Sequence, residues 1–188
     1  MTALMENIKW FLHVRDSCLD RETLFTMIWQ QYSRRILYFL RLFSPNDAED
    51  LLQEVMVKIF RKLHTYNPAY SFKVWIYTIA RNHALSHLRK RSTRNRNITE
   101  PLEAAGQCEG GEPPDSTMIN RELEQIIDTC LTTFDDSHRR IAYLRYYEQC
   151  TYHEIAKLLA IPAGTVKSRL HAVNLKLRKR LEHYYADE

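Results

Sequence analysis

Cysteine pairs, long apolar runs and the alternation typical of β-strands are all missing from this sequence. Its cysteines, at positions 18, 108, 130 and 150, are widely spaced and include no C-x-x-C pair. The sequence therefore indicates neither a disulfide framework nor a zinc knuckle. The most apolar part of the N-terminus, residues 8–14, is interrupted by Lys9 and His13, and no small-residue cleavage site follows it. Because nothing suggests a membrane span or a signal peptide, we expect a cytoplasmic protein.

Helical spacing of apolar residues is the main pattern that is present. Apolar residues make up 45% and charged residues 27% of the 188 positions, a composition typical of a folded protein. Residues 92–118 differ, because they hold three of the four glycines and three of the six prolines, which indicates a linker. We therefore predict an all-α fold of two small helical domains, with an N-terminal extension (1–20), a first domain (21–91), the linker (92–118) and a second domain (119–188).

Positive charge is concentrated in two places, although the net charge is only +4. One basic cluster lies between residues 89 and 96, and the other lies between residues 167 and 180. An isolated charge run is usually no more than a solvated face. Two separate clusters, each on or beside a helix, suggest two contacts with a polyanion.

The second predicted helix carries an acidic patch. This second helix follows a first helix that spans about 22–43. The second helix begins after a turn at 44–47, which caps it, and runs to about Leu63. Its inner face is Leu51, Leu52, Val55, Ile59 and Leu63. Its other side presents Asp47, Asp50, Gln53 and Glu54. These acidic groups either complement the helix dipole or form a protein-docking surface, and the residues alone leave both interpretations open.

The third predicted helix, which begins at Phe72, has a mixed polar face. That face consists of Lys73, Tyr77, Arg81, Asn82, Ser86, Arg89 and Lys90. Aromatic rings stack on bases, amides recognise base edges and cations hold phosphates, so the mixture fits a surface for single-stranded nucleic acid. His83 and His87 are spaced to share a metal ion, but the neighbouring arginines would repel a cation. We expect no metal and no cofactor.

The stretch 151–180 predicts a helix-turn-helix. Thr151 and Glu154 form a capping box at the start of its first helix. Pro162 suits the start of a new helix, whose apolar stripe recurs at steps of three and four. Off that stripe lie Thr165, Lys167, Ser168, Arg169 and His171, near a helix N-terminus that suits phosphates and base edges. The plainer interpretation is a solvated helical hairpin.

Three stretches together resemble the bacterial extracytoplasmic-function (ECF) sigma factors, group IV of the sigma-70 family. They are DAEDLLQEVMVKIFRKL (47–63), FKVWIYTIARNHALSHLRK (72–90) and YHEIAKLLAIPAGTVKSRL (152–170). The resemblance implies a non-enzymatic protein that joins core RNA polymerase and directs it to promoters. It also implies a cognate anti-sigma factor, often membrane-anchored, as a further partner, without direct membrane insertion of this chain.

The resemblance assigns roles to individual residues of this sequence. Asp47, Asp50, Gln53 and Glu54 would bind the β′ coiled coil of the polymerase. The β subunit of the polymerase would be a further partner of this chain. The promoter −10 element would be bound by Asn67, Tyr70, Ser71, Tyr77, Arg81, Asn82, Ser86, Arg89 and Lys90. The −35 element would be bound by Thr165, Lys167, Ser168, Arg169 and His171.

The sequence departs from the family pattern at several positions. Ala160 stands in the turn where glycine is common, which is compatible with the turn if its φ stays negative. Ala172, Val173 and Asn174 replace a stretch that is often basic, and Ser86 replaces an acidic or amide residue. The departures affect which promoter sequence the chain would prefer.

Other classes of protein fit the sequence less well. A LuxR-type regulator would have a similar C-terminal motif, but residues 20–92 lack the α/β pattern of its ligand-binding or phosphoacceptor domain. An enzyme such as a serine recombinase would need a nucleophilic serine and clustered catalytic arginines on a mixed α/β domain, and the sequence has neither. A purely structural helical adaptor would leave the paired basic surfaces unexplained.

Overall fold

The computed structural model describes residues 21–67, 69–96 and 129–186, and within these ranges it contains helices and no strand. The helices are α1 (Arg21–Arg41), α2 (Ala48–Lys62), a 3-10 helix (Leu63–Thr65), α3 (Phe72–Arg96), α4 (Asp136–Tyr146), α5 (Tyr152–Leu159) and α6 (Ala163–Ala186). Residues 129–132 are also helical. The predicted all-α fold is confirmed. The predicted N-terminal extension, residues 97–118 of the predicted linker and the start of the helix expected from Ile119 lie outside the described residues.

Helices α1, α2 and α3 enclose the core of the first domain. The predicted inner face of α2 is buried throughout, and Val55 and Ile59 are fully inaccessible. Burying a side chain of this size stabilises a fold by about 1.5–3 kcal/mol. Trp29 belongs to the apolar stripe of α1 in sequence but is 40% exposed. Helix α3 continues to Arg96, past the predicted domain boundary at residue 91.

The second described domain contains the predicted helix-turn-helix. Thr151 caps α5 through a complete capping box, in which its Oγ1 accepts from the Glu154 amide (3.2 Å) and its own amide donates to Glu154 Oε2 (2.8 Å). Helix α6 begins at Ala163 and buries Val166, Leu170 and Val173. These residues pack α6 against α4 and α5, so the predicted apolar stripe is confirmed over its first three positions.

The turn between α5 and α6 has a conformation that the sequence did not predict. Ala160 adopts φ 52° and ψ 48°, the left-handed region. The amide of Ile161 donates to the carbonyl of Ala156 at 3.1 Å, which is the closing hydrogen bond of a Schellman motif. The condition of a negative φ at Ala160 is therefore not met, because this helix ending needs a left-handed residue. For a non-glycine residue that conformation costs about 1–2 kcal/mol.

The two domains share one apolar core. Phe39 of α1 and Tyr77 of α3 belong to the same buried cluster as Ile141, Tyr143 and Leu144 of α4. Tyr143 stacks on Tyr38 with ring centroids 4.9 Å apart. Helix α3 also contacts α5. The second domain therefore covers part of the surface formed by α1 and α3.

Within the described ranges, no helix combines the length and the apolar character needed to cross a lipid bilayer.

Candidate nucleic-acid and docking surfaces

The acidic patch forms one face of α2 at its N-terminal half. Asp50, Gln53 and Glu54 are exposed, and their spacing of three and four residues makes them neighbours on the helix surface. Asp47 is half-buried at the N-cap position, but its side chain makes no capping hydrogen bond. Three of the four residues are therefore free to contact a partner directly.

Helix α3 holds two carboxylates of this patch from the side. Oδ2 of Asp47 accepts a hydrogen bond from Ser44 Oγ (2.6 Å) and lies 3.2 Å from Nη1 of Arg91. His87 Nδ1 is 3.9 Å from the same oxygen. His83 Nε2 lies 2.7 Å from Oε2 of Glu54. These contacts explain why Asp47 does not cap α2, since its carboxylate is directed at α3.

The two histidines thus contact α2 carboxylates. Sequence reasoning considered His83 and His87 only as a metal-binding pair and missed this role. The sequence did contain a signal for this role. His83, His87 and Arg91 follow one another at steps of four, which places all three side chains on one face of α3. Among the described residues, no group of three or more His, Cys, Asp or Glu side chains is arranged to hold a metal ion.

The loop before α3 is anchored by an aromatic residue that sequence reasoning did not select. Tyr66 packs edge-on against Phe72 and also contacts Trp75, with centroid distances of 4.9 and 5.3 Å, and its hydroxyl donates to the Tyr70 carbonyl. Burial raises the pKa of Tyr66. Tyr70 itself is 60% exposed, and Lys157 of α5 lies 4.7 Å above its ring. Tyr66 therefore holds the loop in place, while the ring of Tyr70 remains largely exposed.

The polar face of α3 is divided into an exposed part and a covered part. Asn82, Ser86, Arg89 and Lys90 are exposed, as predicted. The prediction of an accessible Tyr77 is wrong in this structure, because the residue is fully buried, with its ring 5.0 Å from that of Phe39 and its hydroxyl 3.2 Å from the hydroxyl of Tyr143. This burial raises the pKa of Tyr77 well above 10, and Tyr143 adds to the shift. The second domain packs on this part of α3.

Two basic residues of the same face contact the backbone of the second domain. Arg81 donates from Nη2 to the carbonyl of Leu159 at 3.0 Å, at the C-terminal end of α5. Lys73 donates to the carbonyl of Glu148. Unpaired carbonyls at a helix C-terminus favour a cation. Both side chains are therefore occupied by protein groups in this arrangement.

The outer side of α6 carries the predicted set of polar residues near its N-terminus. Lys167, Ser168 and His171 are exposed, whereas Thr165 and Arg169 are half-buried. Ser168 Oγ donates to the carbonyl of Thr165 at 3.1 Å. None of the five is covered by the first domain's core, so this side of α6 is open to a ligand.

Both domains match models of known protein families. Residues 28–94 match sigma-70 region 2, and residues 130–179 match sigma-70 region 4. The ECF RNA polymerase sigma-E factor of Haemophilus influenzae is 26% identical over 165 residues, covering 84% of this chain and 87% of that protein. The ECF RNA polymerase sigma factor SigW of Bacillus subtilis is 28% identical over 151 residues, covering 77% and 81%. The chain belongs to the ECF group of the sigma-70 family.

Two solved structures have the same fold. The sigma factor RpoE of Bartonella quintana, in complex with the anti-sigma factor NepR, aligns with a TM-score of 0.65 and 21% identity over 84% of this chain and 96% of that chain. CnrH, in complex with the cytosolic domain of CnrY, aligns with a TM-score of 0.53 and 16% identity over 87% and 90%. The helical architecture of this ECF sigma factor is therefore shared by distant relatives.

In this ECF sigma factor, region 2 thus comprises α1 to α3, and α4 to α6 form most of region 4. The structure places the residues assigned to polymerase binding on α2 and those assigned to the −35 element on α6. It divides the −10 set, because Asn67, Tyr70 and the outer part of α3 are exposed while Tyr77 is covered by region 4.

Proposed function

We propose that this chain binds core RNA polymerase and directs it to promoters by binding their −10 and −35 elements. The observation that carries the proposal is the presence, in one chain and in order, of sigma-70 regions 2 and 4, each with an exposed polar helix face. On this proposal the chain itself has no catalytic activity, since the polymerase performs the chemistry.

The acidic face of α2 is the proposed docking site for the polymerase. Asp50, Gln53 and Glu54 are exposed there, while Asp47 is held by Ser44 and Arg91. Two carboxylates held in place by other side chains, with Asp50 and Gln53 exposed between them, fit a partner surface that offers cations. The resemblance to the family gives that partner as the β′ coiled coil, with the β subunit as a further contact.

Promoter binding is proposed to use both regions at once. Single-stranded −10 DNA would contact Asn67, Tyr70, Ser71, Asn82 and Ser86, with phosphates held by Arg81, Arg89 and Lys90. The −35 duplex would contact Thr165, Lys167, Ser168, Arg169 and His171 through the major groove. One recognition helix makes only a few base contacts at about 1–3 kcal/mol each, so the two elements together supply the specificity.

Binding of the −10 element requires regions 2 and 4 to separate. Tyr77 is buried under Tyr143, and Arg81 is bound to Leu159, in the described arrangement. The Nη2 donor of Arg81 becomes available to a phosphate once region 4 moves away from α3. We propose that the polymerase holds the two regions apart.

An anti-sigma factor is the proposed regulator. One structure with the same fold is a sigma factor in complex with an anti-sigma factor, and the other is CnrH in complex with the cytosolic domain of CnrY. We propose that this chain acts in the cytoplasm and that a cognate anti-sigma factor holds it at the inner face of the membrane.

The proposal is tested by reconstitution with core RNA polymerase. The purified protein is added to core enzyme, and transcripts from fragments of the source genome are sequenced. We expect initiation at a set of sites that share −10 and −35 sequences and that are absent with core enzyme alone. Failure to bind core enzyme, together with no new transcript start, would contradict the proposal.

A further inference from the structure

A buried histidine of α3 lies against the proposed docking face. His83 is only 9% exposed, its Nε2 lies 2.7 Å from Oε2 of Glu54, and its Nδ1 contacts Nζ of Lys58. Glu54 and Lys58 are four residues apart on α2, so the imidazole ring bridges two successive turns of that helix. Nothing in the proposed function uses His83.

The contact with Lys58 determines which ring nitrogen carries the proton. An ammonium group only donates hydrogen bonds, so Nδ1 of His83 accepts from Lys58 and is unprotonated. The proton of the neutral ring is then on Nε2, the atom that faces Glu54. His83 therefore holds Glu54 through its Nε2–H group, at an N···O distance of 2.7 Å.

The surroundings of the ring favour its neutral form. Burial lowers the pKa of His83 below its usual value, Lys58 of α2 lowers it further, and Glu54 of the same helix opposes both. His87, one turn along α3, also lowers it. Protonation in mildly acidic solution would remove the acceptor at Nδ1, place a second cation beside Lys58 and neutralise part of the charge of Glu54. The arrangement around Glu54 is therefore sensitive to pH.

We propose that His83 is a positioning residue for polymerase binding, which in its neutral form fixes the carboxylate of Glu54 on the docking face and on protonation weakens docking. The inference rests on the proposed function and assigns a role to a residue that does not itself touch the polymerase.

Two substitutions separate positioning from folding. His83→Gln retains an amide that can donate to Glu54 but does not titrate, whereas His83→Phe retains the ring and removes both contacts. His153→Gln, at an exposed position of α5, is the matched control. At pH 7.5 we expect His83→Phe to weaken binding to core RNA polymerase by about five- to tenfold, and His83→Gln by less than about threefold.

The pH profile distinguishes positioning from a merely structural role. Binding of the wild type and of His153→Gln is expected to weaken, relative to His83→Gln, as the pH falls from 7.5 to 5.5. Titration of the polymerase affects the binding of every variant equally. The ratio of the wild-type dissociation constant to that of His83→Gln at each pH therefore cancels this contribution. Identical profiles for the wild type and His83→Gln would overturn the inference.

A double-mutant cycle tests whether His83 acts through Glu54. In the Glu54→Gln background, His83→Phe is expected to have almost no further effect on polymerase binding, because the group that it positions has lost its charge. An undiminished effect in that background would mean that His83 supports the fold only. Ring ¹⁵N chemical shifts measured on the free protein give an independent check, since a proton on Nδ1 at pH 7.5 would contradict the assigned tautomer.

Failure of this inference is distinguishable from failure of the proposed function. If the wild type does not bind core enzyme at pH 7.5, the proposed function fails and the inference fails with it. If the wild type binds, and its pH profile is identical to that of His83→Gln or the effect of His83→Phe is undiminished in the Glu54→Gln background, only the inference fails.

Discussion

The hydroxyl of Tyr143 in region 4 donates a hydrogen bond to the backbone carbonyl of Arg35 in region 2, at 2.9 Å. The same hydroxyl lies 3.1 Å from Oε1 of Glu148 and 3.2 Å from the hydroxyl of Tyr77. Glu148 is 3% exposed, and Nη1 of Arg35 lies 3.9 Å from its Oε2. One phenol hydroxyl therefore connects the two regions and lies against a buried carboxylate.

Removal of that hydroxyl is expected to loosen the packing of region 4 on region 2. Tyr143→Phe removes the hydrogen bond to the Arg35 carbonyl, which costs about 0.5–1.5 kcal/mol in the packed arrangement and nothing once the regions separate. We expect a larger radius of gyration by small-angle X-ray scattering and faster amide exchange in α3. Tyr146→Phe is the matched control, because Tyr146 contacts Asn174 within region 4. Equal scattering and exchange in the two variants would contradict the prediction.

Neutralisation of the acidic face of α2 is expected to weaken polymerase binding. Asp50→Ala combined with Glu54→Ala removes two exposed charges from the proposed docking site, and we expect about tenfold to a hundredfold weaker binding to core RNA polymerase at low salt. Glu49→Ala is the control, since Glu49 lies on the same helix but pairs with Arg41 at 3.7 Å. Binding is measured by titration with fluorescently labelled protein. An equal loss in the control would point to the net charge of α2 rather than to the docking site.

Glycine at position 160 is expected to stabilise region 4. Ala160 has φ 52°, which is strained for alanine and unstrained for glycine. The relief of about 1–2 kcal/mol exceeds the entropic cost of glycine, about 0.5–1 kcal/mol, so Ala160→Gly should raise the free energy of unfolding by roughly 0.5–1 kcal/mol. Urea denaturation followed by circular dichroism measures the change. The same substitution at Ala156, inside α5, should instead destabilise by about 1 kcal/mol. Destabilisation by both would mean that residue 160 is not left-handed in solution.

Two basic residues at the start of α6 are expected to affect DNA binding in different ways. Lys167→Ala should weaken binding to duplex DNA of any sequence and reduce the salt dependence by about one phosphate contact. Arg169→Ala should instead weaken binding to the −35 sequence selectively, by about 1–3 kcal/mol, if it contacts a base edge. Arg178→Ala is the control, because Arg178 pairs with Glu182 at 2.7 Å on the surface of the same helix. The measurement is fluorescence anisotropy at several salt concentrations, and equal effects of all three substitutions would contradict the assignment.

The sequence by itself determined the helices and their buried faces. Periodicity reports which side of a helix is apolar, and the capping box at Thr151 and Glu154 depends only on residues that are three apart, so both kinds of prediction are confirmed. The family resemblance, which came from three short stretches, is confirmed by the matches to both sigma-70 regions. The roles assigned to individual residues of the docking and promoter surfaces remain predictions.

Only the tertiary structure decided what covers each polar face. Tyr77 lies on a side of α3 that is polar in sequence, yet region 4 packs over it because the rings of Phe39 and Tyr143 meet there. The partners of His83 lie on α2, about 25 residues earlier in the chain, and no local pattern encodes that distance. Helical periodicity describes one helix at a time, whereas these contacts depend on how separate helices are brought together.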